Sequence, residues 1–330
     1  MKKEFRTKPK VGLCSTICAA LIIFLECSST YSAARSMEFP GDFSYKQFVI
    51  YGDDNRKDYY EVTSENWRAR MDSSAMLVPA GALKRKSNGQ LELVAQKFRD
   101  QKMHTQIGAV PFCQTERFLD QKTPGFCSGA LVGPQTIITA GHCVDSFGPI
   151  QGGAAADAFV VFGQNIKVQG SSDPGLVNMD QVYGVKKVIA SNDGYGESDY
   201  AILLLDRPVT VAKPVPVEQS TAISKLDELT LIGSPWGLPV KLAEGAKIRE
   251  ITQSTIEAST DSYAANSGSA VYNSRTGRVE GILVQGEDDF ELDFATGAPC
   301  MKSKRCQETE CRGETITKIS VVLPYLKGLI

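Results

Sequence analysis

A chain of 330 residues, 42% of them hydrophobic, has apolar material for one large or two small domains. Its 38 acidic and 36 basic residues nearly cancel to a formal charge of −2, which gives no electrostatic case for binding nucleic acid or for stable association with an anionic membrane. There is no internal repeat and no sustained heptad pattern, which argues against solenoid and coiled-coil architectures.

Residues 1–34 read as a signal peptide. Lys2, Lys3, Arg6, Lys8 and Lys10 precede an apolar run from Val11 to Leu25, and Ser32-Ala33-Ala34 offers small residues for cleavage. That run falls short of the roughly twenty residues a membrane-spanning helix needs. Glu26 before Cys27 fits a lipidation site poorly. The expected destination is secreted or periplasmic. Residues 35–104 are polar and charged, with Tyr59, Tyr60 and Trp67 among them. Two readings stay open for this stretch, a propeptide in part or a piece of the mature fold.

From about residue 105, short β-branched and apolar runs alternate with Gly, Pro, Asn and Asp, the pattern of an all-β barrel or sandwich. One such run, Gln135-Thr136-Ile137-Ile138-Thr139, ends in Ala140-Gly141-His142-Cys143. The chain has only two histidines, His104 and His142, so His142 at a strand end is the foremost candidate for a general base. Downstream, Asp199 opens the apolar run Tyr200-Ala201-Ile202-Leu203-Leu204-Leu205. A buried acid at the head of a core strand suits the task of orienting an imidazole. Asp193 and Glu197 are its rivals, and Asp206 beside Arg207 reads as a solvated or paired surface acid. Lys225-Leu226-Asp227-Glu228-Leu229 is expected to be a polar loop between strands. Ser267 lies in Ala264-Ala265-Asn266-Ser267-Gly268-Ser269. The glycine after it allows a tight turn that exposes Oγ, with the amides of Ala265 and Ser267 placed to stabilise an oxyanion. Ser262 and Ser269 lack that setting. Removing the leader leaves six of nine cysteines: Cys113, Cys127, Cys143, Cys300, Cys306 and Cys311. An even number in an exported chain without a Cys-x-x-Cys spacing implies disulfides and no metal site.

His142, Asp199 and Ser267, in that order, resemble the triad of chymotrypsin-fold serine peptidases. The segments Phe126-Cys127-Ser128-Gly129-Ala130-Leu131-Val132-Gly133, Thr139-Ala140-Gly141-His142-Cys143, Asp199-Tyr200-Ala201 and Asn266-Ser267-Gly268-Ser269 carry the likeness. Val49-Ile50-Tyr51-Gly52-Asp53-Asp54-Asn55-Arg56 is similar to the N-terminal segment of the glutamyl-endopeptidase (V8-like) branch, and Gly237-Leu238-Pro239-Val240-Lys241 and Cys311-Arg312-Gly313-Glu314 add to that likeness. In that branch this segment begins the mature enzyme, so cleavage before Val49 is one route to maturation.

The resemblance implies a monomeric serine endopeptidase acting on proteins or peptides without a cofactor. It also implies two packed six-stranded antiparallel β-barrels, about 105–212 and 213–330, with the triad between them. It further implies a Cys127–Cys143 disulfide beside His142, a bond from Cys113 to the C-terminal region, and a specificity-pocket position for Asp261. The competing reading is that Asp261 hydrogen-bonds its own loop.

The sequence departs from the family at Ala265, where relatives usually carry glycine, at Ser269-Ala270, which replaces a Ser-Pro or Gly-Pro pair, and at Ser234-Pro235, where many carry His-Pro. Gly281-Ile282-Leu283-Val284-Gln285-Gly286 lacks the histidine by which glutamate-specific members receive the substrate carboxylate, which excludes glutamate specificity by that device. A Cβ in a left-handed turn at Ala265 predicts an oxyanion hole formed incompletely, or formed only once substrate binds. It keeps open a catalytically impaired homologue acting as a binding or adhesion module.

Overall fold

The computed structural model describes residues 49–144, 158–194, 198–220, 222–295 and 297–330. The leader at 1–34, residues 35–48, and Glu197 lie outside the described residues. Among the described residues no helix is long and apolar enough to cross a membrane.

Two sheets dominate. The second half of the chain closes a six-stranded antiparallel barrel in the order Glu228–Gly233, Lys241–Ile251, Thr255–Ala258, Glu314–Lys318, Val279–Gln285 and Ala270–Asn273. Inward-facing Leu229, Leu231, Ile256, Val271, Leu283 and Ile316 fill it. Each of these apolar side chains stabilises the barrel by about 1.5–3 kcal/mol through removal from water.

The first half is an open seven-stranded sheet rather than a second closed six-stranded barrel. Its order is Val182–Tyr183, Ala158–Phe162, Ser74–Pro79, Cys127–Gly133, Thr136–Thr139, Ser198–Leu205 and Val185–Gly194. The expected start of the peptidase fold at about 105 is therefore too late. Ser74–Pro79 is an interior strand, pairing with Cys127–Ala130 on one side and Ala158–Phe162 on the other. Its run Ala75-Met76-Leu77-Val78 is fully buried, which a strand covered on both faces requires.

The stretch 49–104 is likewise part of the fold. Val49 and Ile50 are fully buried, and Ile50–Tyr51 pairs in parallel with Arg305–Cys306. Lys241, buried in the barrel wall, reaches Asp58 Oδ1 at 2.6 Å and Gln121 Oε1 at 2.7 Å, which balances its charge. Burial still pushes its ammonium down to about 8. Ser64 caps the short helix Glu65–Asp72, and Trp67 on that helix meets Tyr272 of the barrel edge-on at 5.8 Å.

One apolar core runs through both sheets, taking in Leu131, Ile137, Ile138 and Leu203 of the first with Ile232, Leu242, Tyr272 and Ile282 of the barrel. The helix Ile319–Leu326 closes one side through Ile319, Val322 and Leu326. A second, aromatic cluster holds Phe98, Phe112, Trp236, Tyr263 and Phe290. The Cys113–Cys300 disulfide, 187 residues apart in sequence, ties its strands together. Cys127–Cys143 and Cys306–Cys311 are the other disulfides among the described residues.

Candidate active site

Thr136–Thr139 lies between two antiparallel neighbours, and its β-branched, wholly buried side chains suit an interior strand. It delivers the chain into a short 3₁₀ turn, Gly141–Cys143. On the adjacent strand Ala201 pairs with Thr139 and Ile202 with Ile138. Continuing that register sets Asp199 opposite the turn. Its carboxylate accepts the Gly141 amide at 2.6 Å and the His142 amide at 3.3 Å through Oδ1, and meets His142 Nδ1 at 2.7 Å through Oδ2. Asp199 is 3% exposed, so these contacts replace its hydration. With Nδ1–H donating to the carboxylate, Nε2 is the ring nitrogen that carries the basic lone pair. Gly141 is required here because a Cβ would stand 2.1 Å from the Asn192 carbonyl.

Asp193 pairs across the strands with Asp199 and is exposed. Asp206 sits at the far end, 3.0 Å from Arg207 Nη1. His104 is exposed on the hairpin of Lys102–Thr105 and Gly108–Pro111.

Ser267 lies in a turn in which Ala265 has φ 65° and Gly268 φ 90°. That turn packs directly on the histidine strand. The Ser267 carbonyl accepts the Ser128 amide at 2.8 Å and lies 3.8 Å from Cys143 Sγ. A Cβ on Gly268 would stand 2.1 Å from the Ser128 carbonyl and 2.2 Å from Thr139 Oγ1. The neighbouring serines are engaged elsewhere. Asn266 Nδ2 donates to Ser262 Oγ at 2.8 Å, and Ser269 Oγ donates to Asn266 Oδ1 at 3.0 Å. The disulfide Cys127–Cys143 braces the histidine turn against Cys127–Gly133, the strand that carries Ser128. Cys127, His142 and Cys143 bring potential metal donors within 4.8 Å of one another, but the disulfide removes both thiolates.

The turn at Ala265 is left-handed, as a glycine there would be, and its peptides are pinned. The Ala264 carbonyl accepts the Trp236 amide at 2.5 Å, and the Ala265 carbonyl accepts Ser128 Oγ at 2.9 Å. Among the described residues no protein acceptor meets the Ala265 or Ser267 amide. The carbonyls that share a peptide with the two hole amides, those of Ala264 and Asn266, each have a donor, the second being the Ser269 amide at 2.8 Å.

Asp261 requires a correction. It is 3% exposed, and its two oxygens accept the Tyr51 amide at 2.8 Å and the Asn55 amide at 3.0 Å. It therefore anchors the N-terminal segment instead of facing substrate as a pocket acid. Its partners also lie some two hundred residues away, not in its own loop. Burial pushes its carboxyl up to about 6, with the two amides pulling against that shift.

Sequence reasoning passed over Ser128, Trp236, Asp289 and Glu314. Glu314 is fully buried, and its Oε1 accepts the Val49 amide at 3.1 Å. These residues act through contacts 25 to 265 positions apart, and no local pattern announces such contacts.

Residues 127–282 match the family described as the trypsin-like peptidase domain. The matched stretch is just under half of the chain and includes His142, Asp199, Ser267 and the Cys127–Cys143 disulfide. Among curated proteins none matches. Two similar solved structures are a Glu endopeptidase in complex with MPD and the VesB protease of Vibrio cholerae. The first is 17% identical, with 78% of this chain and 94% of that chain covered and a TM-score of 0.45. The second is 14% identical, with 84% and 67% covered and a TM-score of 0.46.

Proposed function

We propose that this chain is an exported serine endopeptidase that hydrolyses peptide bonds through an acyl-enzyme on Ser267. The observation that carries the reading is the 2.7 Å contact between Asp199 Oδ2 and His142 Nδ1, on a turn packed against that of Ser267. In the reaction Ser267 Oγ attacks the scissile carbonyl while His142 Nε2 takes its proton. The Ala265 and Ser267 amides stabilise the oxyanion, and His142 returns the proton to the leaving amine. Water then attacks the acyl-enzyme by the same route. Asp199 holds the imidazole and stabilises it when charged. All the groups this chemistry needs are protein groups. Three disulfides favour an oxidising compartment outside the cytoplasm. The Val49–Arg56 segment favours the V8-like branch, without its glutamate-binding histidine.

An active-site phosphonate carrying a fluorophore tests the reading, because it requires the nucleophile, the base and the oxyanion donors together. The expected result is stoichiometric labelling at Ser267 that is lost in Ser267→Ala, with peptide hydrolysis falling at least about 10³-fold. Ala265 supports a second reading, a binding module built on an impaired peptidase. Absence of labelling with intact folding would favour it.

A further inference from the structure

We propose that Ser128 and Asp289, two buried side chains outside the triad, are positioning residues that lock the Tyr263–Ser267 turn with the Ala265 and Ser267 amides directed at the substrate oxygen. The proposal rests on the peptidase reading above. Ser128 Oγ has a single proton, and its direction is fixed by its neighbours. The Ser234 amide donates to this oxygen at 2.9 Å, so the hydroxyl proton goes to the Ala265 carbonyl, also at 2.9 Å. Ser128 is fully buried, which leaves water no part in this arrangement. Its own amide holds the Ser267 carbonyl, so one residue grips the turn on both sides of Asn266.

Asp289 grips the other end. Its Oδ2 accepts the Ala264 amide at 2.9 Å, and its backbone carbonyl accepts the Lys304 amide at 2.9 Å. The aromatic cluster around Phe290 packs beside it, with Phe290 4.7 Å from Tyr263 and 5.2 Å from Trp236 between ring centroids. Together with the Trp236 amide on the Ala264 carbonyl and the Ser269 amide on the Asn266 carbonyl, these contacts occupy the groups of the turn that could rotate into the hole. Left-handed alanine is uncommon, and it persists where the surroundings over-determine the backbone. Ser128 and Asp289 supply that constraint. The consequence is a preformed hole despite the missing glycine.

The test compares Ser128→Ala, Asp289→Asn and Asp289→Leu in the full chain, using a fluorogenic peptide, a peptide aldehyde and the phosphonate. The aldehyde forms a hemiacetal whose oxygen sits where the oxyanion would, so it senses the hole as a substrate does not. Ser128→Ala and Asp289→Leu are expected to lower kcat about 10- to 100-fold with KM within about threefold, somewhat less than outright loss of a donor. Aldehyde affinity and the acylation rate should fall by the same factor as kcat. Asp289→Asn keeps a carbonyl oxygen for the Ala264 amide and should retain most of the activity. An unchanged kcat in Ser128→Ala, or losses in KM and thermal stability with aldehyde affinity unaltered, overturns the proposal. If Asp289→Leu does not fold, Ser128→Ala and the activity of Asp289→Asn decide. A wild-type chain that the phosphonate does not label overturns the peptidase reading, and this proposal falls with it. Wild-type labelling matched in rate by Ser128→Ala overturns the positioning role alone.

Discussion

Ala265 has φ 65°, a conformation that costs a residue with a Cβ about 1–2 kcal/mol relative to glycine. Glycine would relieve that strain but would also loosen the unfolded chain by about 0.4–1 kcal/mol. The two effects offset in part, and the pinned carbonyls hold the turn in either case. Ala265→Gly is therefore expected to change kcat by less than about threefold and the midpoint of thermal unfolding by no more than a few degrees. A tenfold rise in kcat would show that alanine holds the hole open incorrectly, as the residue type alone suggests. Asp261 calls for a different expectation. With both oxygens accepting buried amides, Asp261→Ala should destabilise the fold by about 1–3 kcal/mol per amide left unpaired. It should leave the preference for the residue before the scissile bond unchanged. Thermal melts together with peptide-library profiling check this, and a switch in preference would restore Asp261 to the pocket.

At the scale of elements, the site is the meeting of two turns from different sheets, and Gly268 is where they touch. Gly268→Ala puts a Cβ against the Ser128 carbonyl and Thr139 Oγ1 while holding φ at 90°. Expected is a loss of about 1–3 kcal/mol in stability and of most phosphonate labelling. A variant that labels at the wild-type rate would mean that the two turns can separate without consequence. The Cys127–Cys143 disulfide closes a loop with a sequence separation of 16. Replacing both cysteines with serine should lower unfolding stability by about 3 kcal/mol in urea, chiefly by freeing the unfolded chain. It should lower kcat as well, because the turn that carries His142 loses its brace.

Across the whole molecule, several carboxyls are buried without a nearby cation that fully offsets their burial. Burial beside Glu218 and Asp227 pushes the Glu280 carboxyl from an ordinary 4.5 up to about 7, with Asn273 and Lys318 pulling the other way. Burial also raises Asp289 and Glu314 well above the usual carboxylate range. A carboxyl with a raised folded value binds more protons in the native state than in the unfolded chain. Its stabilising contribution is complete below its unfolded value near 4 and disappears as pH rises through the folded value. Asp54, held down to about 2 beside Arg56, has the opposite slope, but only below its ordinary 3.8. The midpoint of thermal unfolding should therefore peak on the mildly acidic side and drop by several degrees between about pH 5 and pH 7. Glu280→Gln should flatten that slope. A profile that rises with pH across the window, or a Glu280→Gln slope equal to wild type, would contradict the assignment.

The sequence by itself determined the parts of this protein that are written locally. Strand periodicity before His142 and after Asp199, the glycine following Ser267, and the even cysteine count each reflect constraints within a few residues of the chain. That is why the three candidate catalytic positions and the β-rich second half were legible there. Only the tertiary structure decided that the first sheet is open, because the interior strand Ser74–Pro79 comes from a stretch whose polar flanks mask it. It likewise decided that residues 49–104 belong to the fold, since Val49 and Tyr51 find their partners on Glu314 and Asp261 more than two hundred residues away. The fate of Ala265 was decided in the same way. Its backbone strain is visible in the residue type, but the donors that hold it, Ser128 Oγ and the Trp236 amide, are brought to the turn by two different segments of the folded chain. A hydrogen bond formed across such a separation depends on the packing of whole sheets, and no window of sequence contains it.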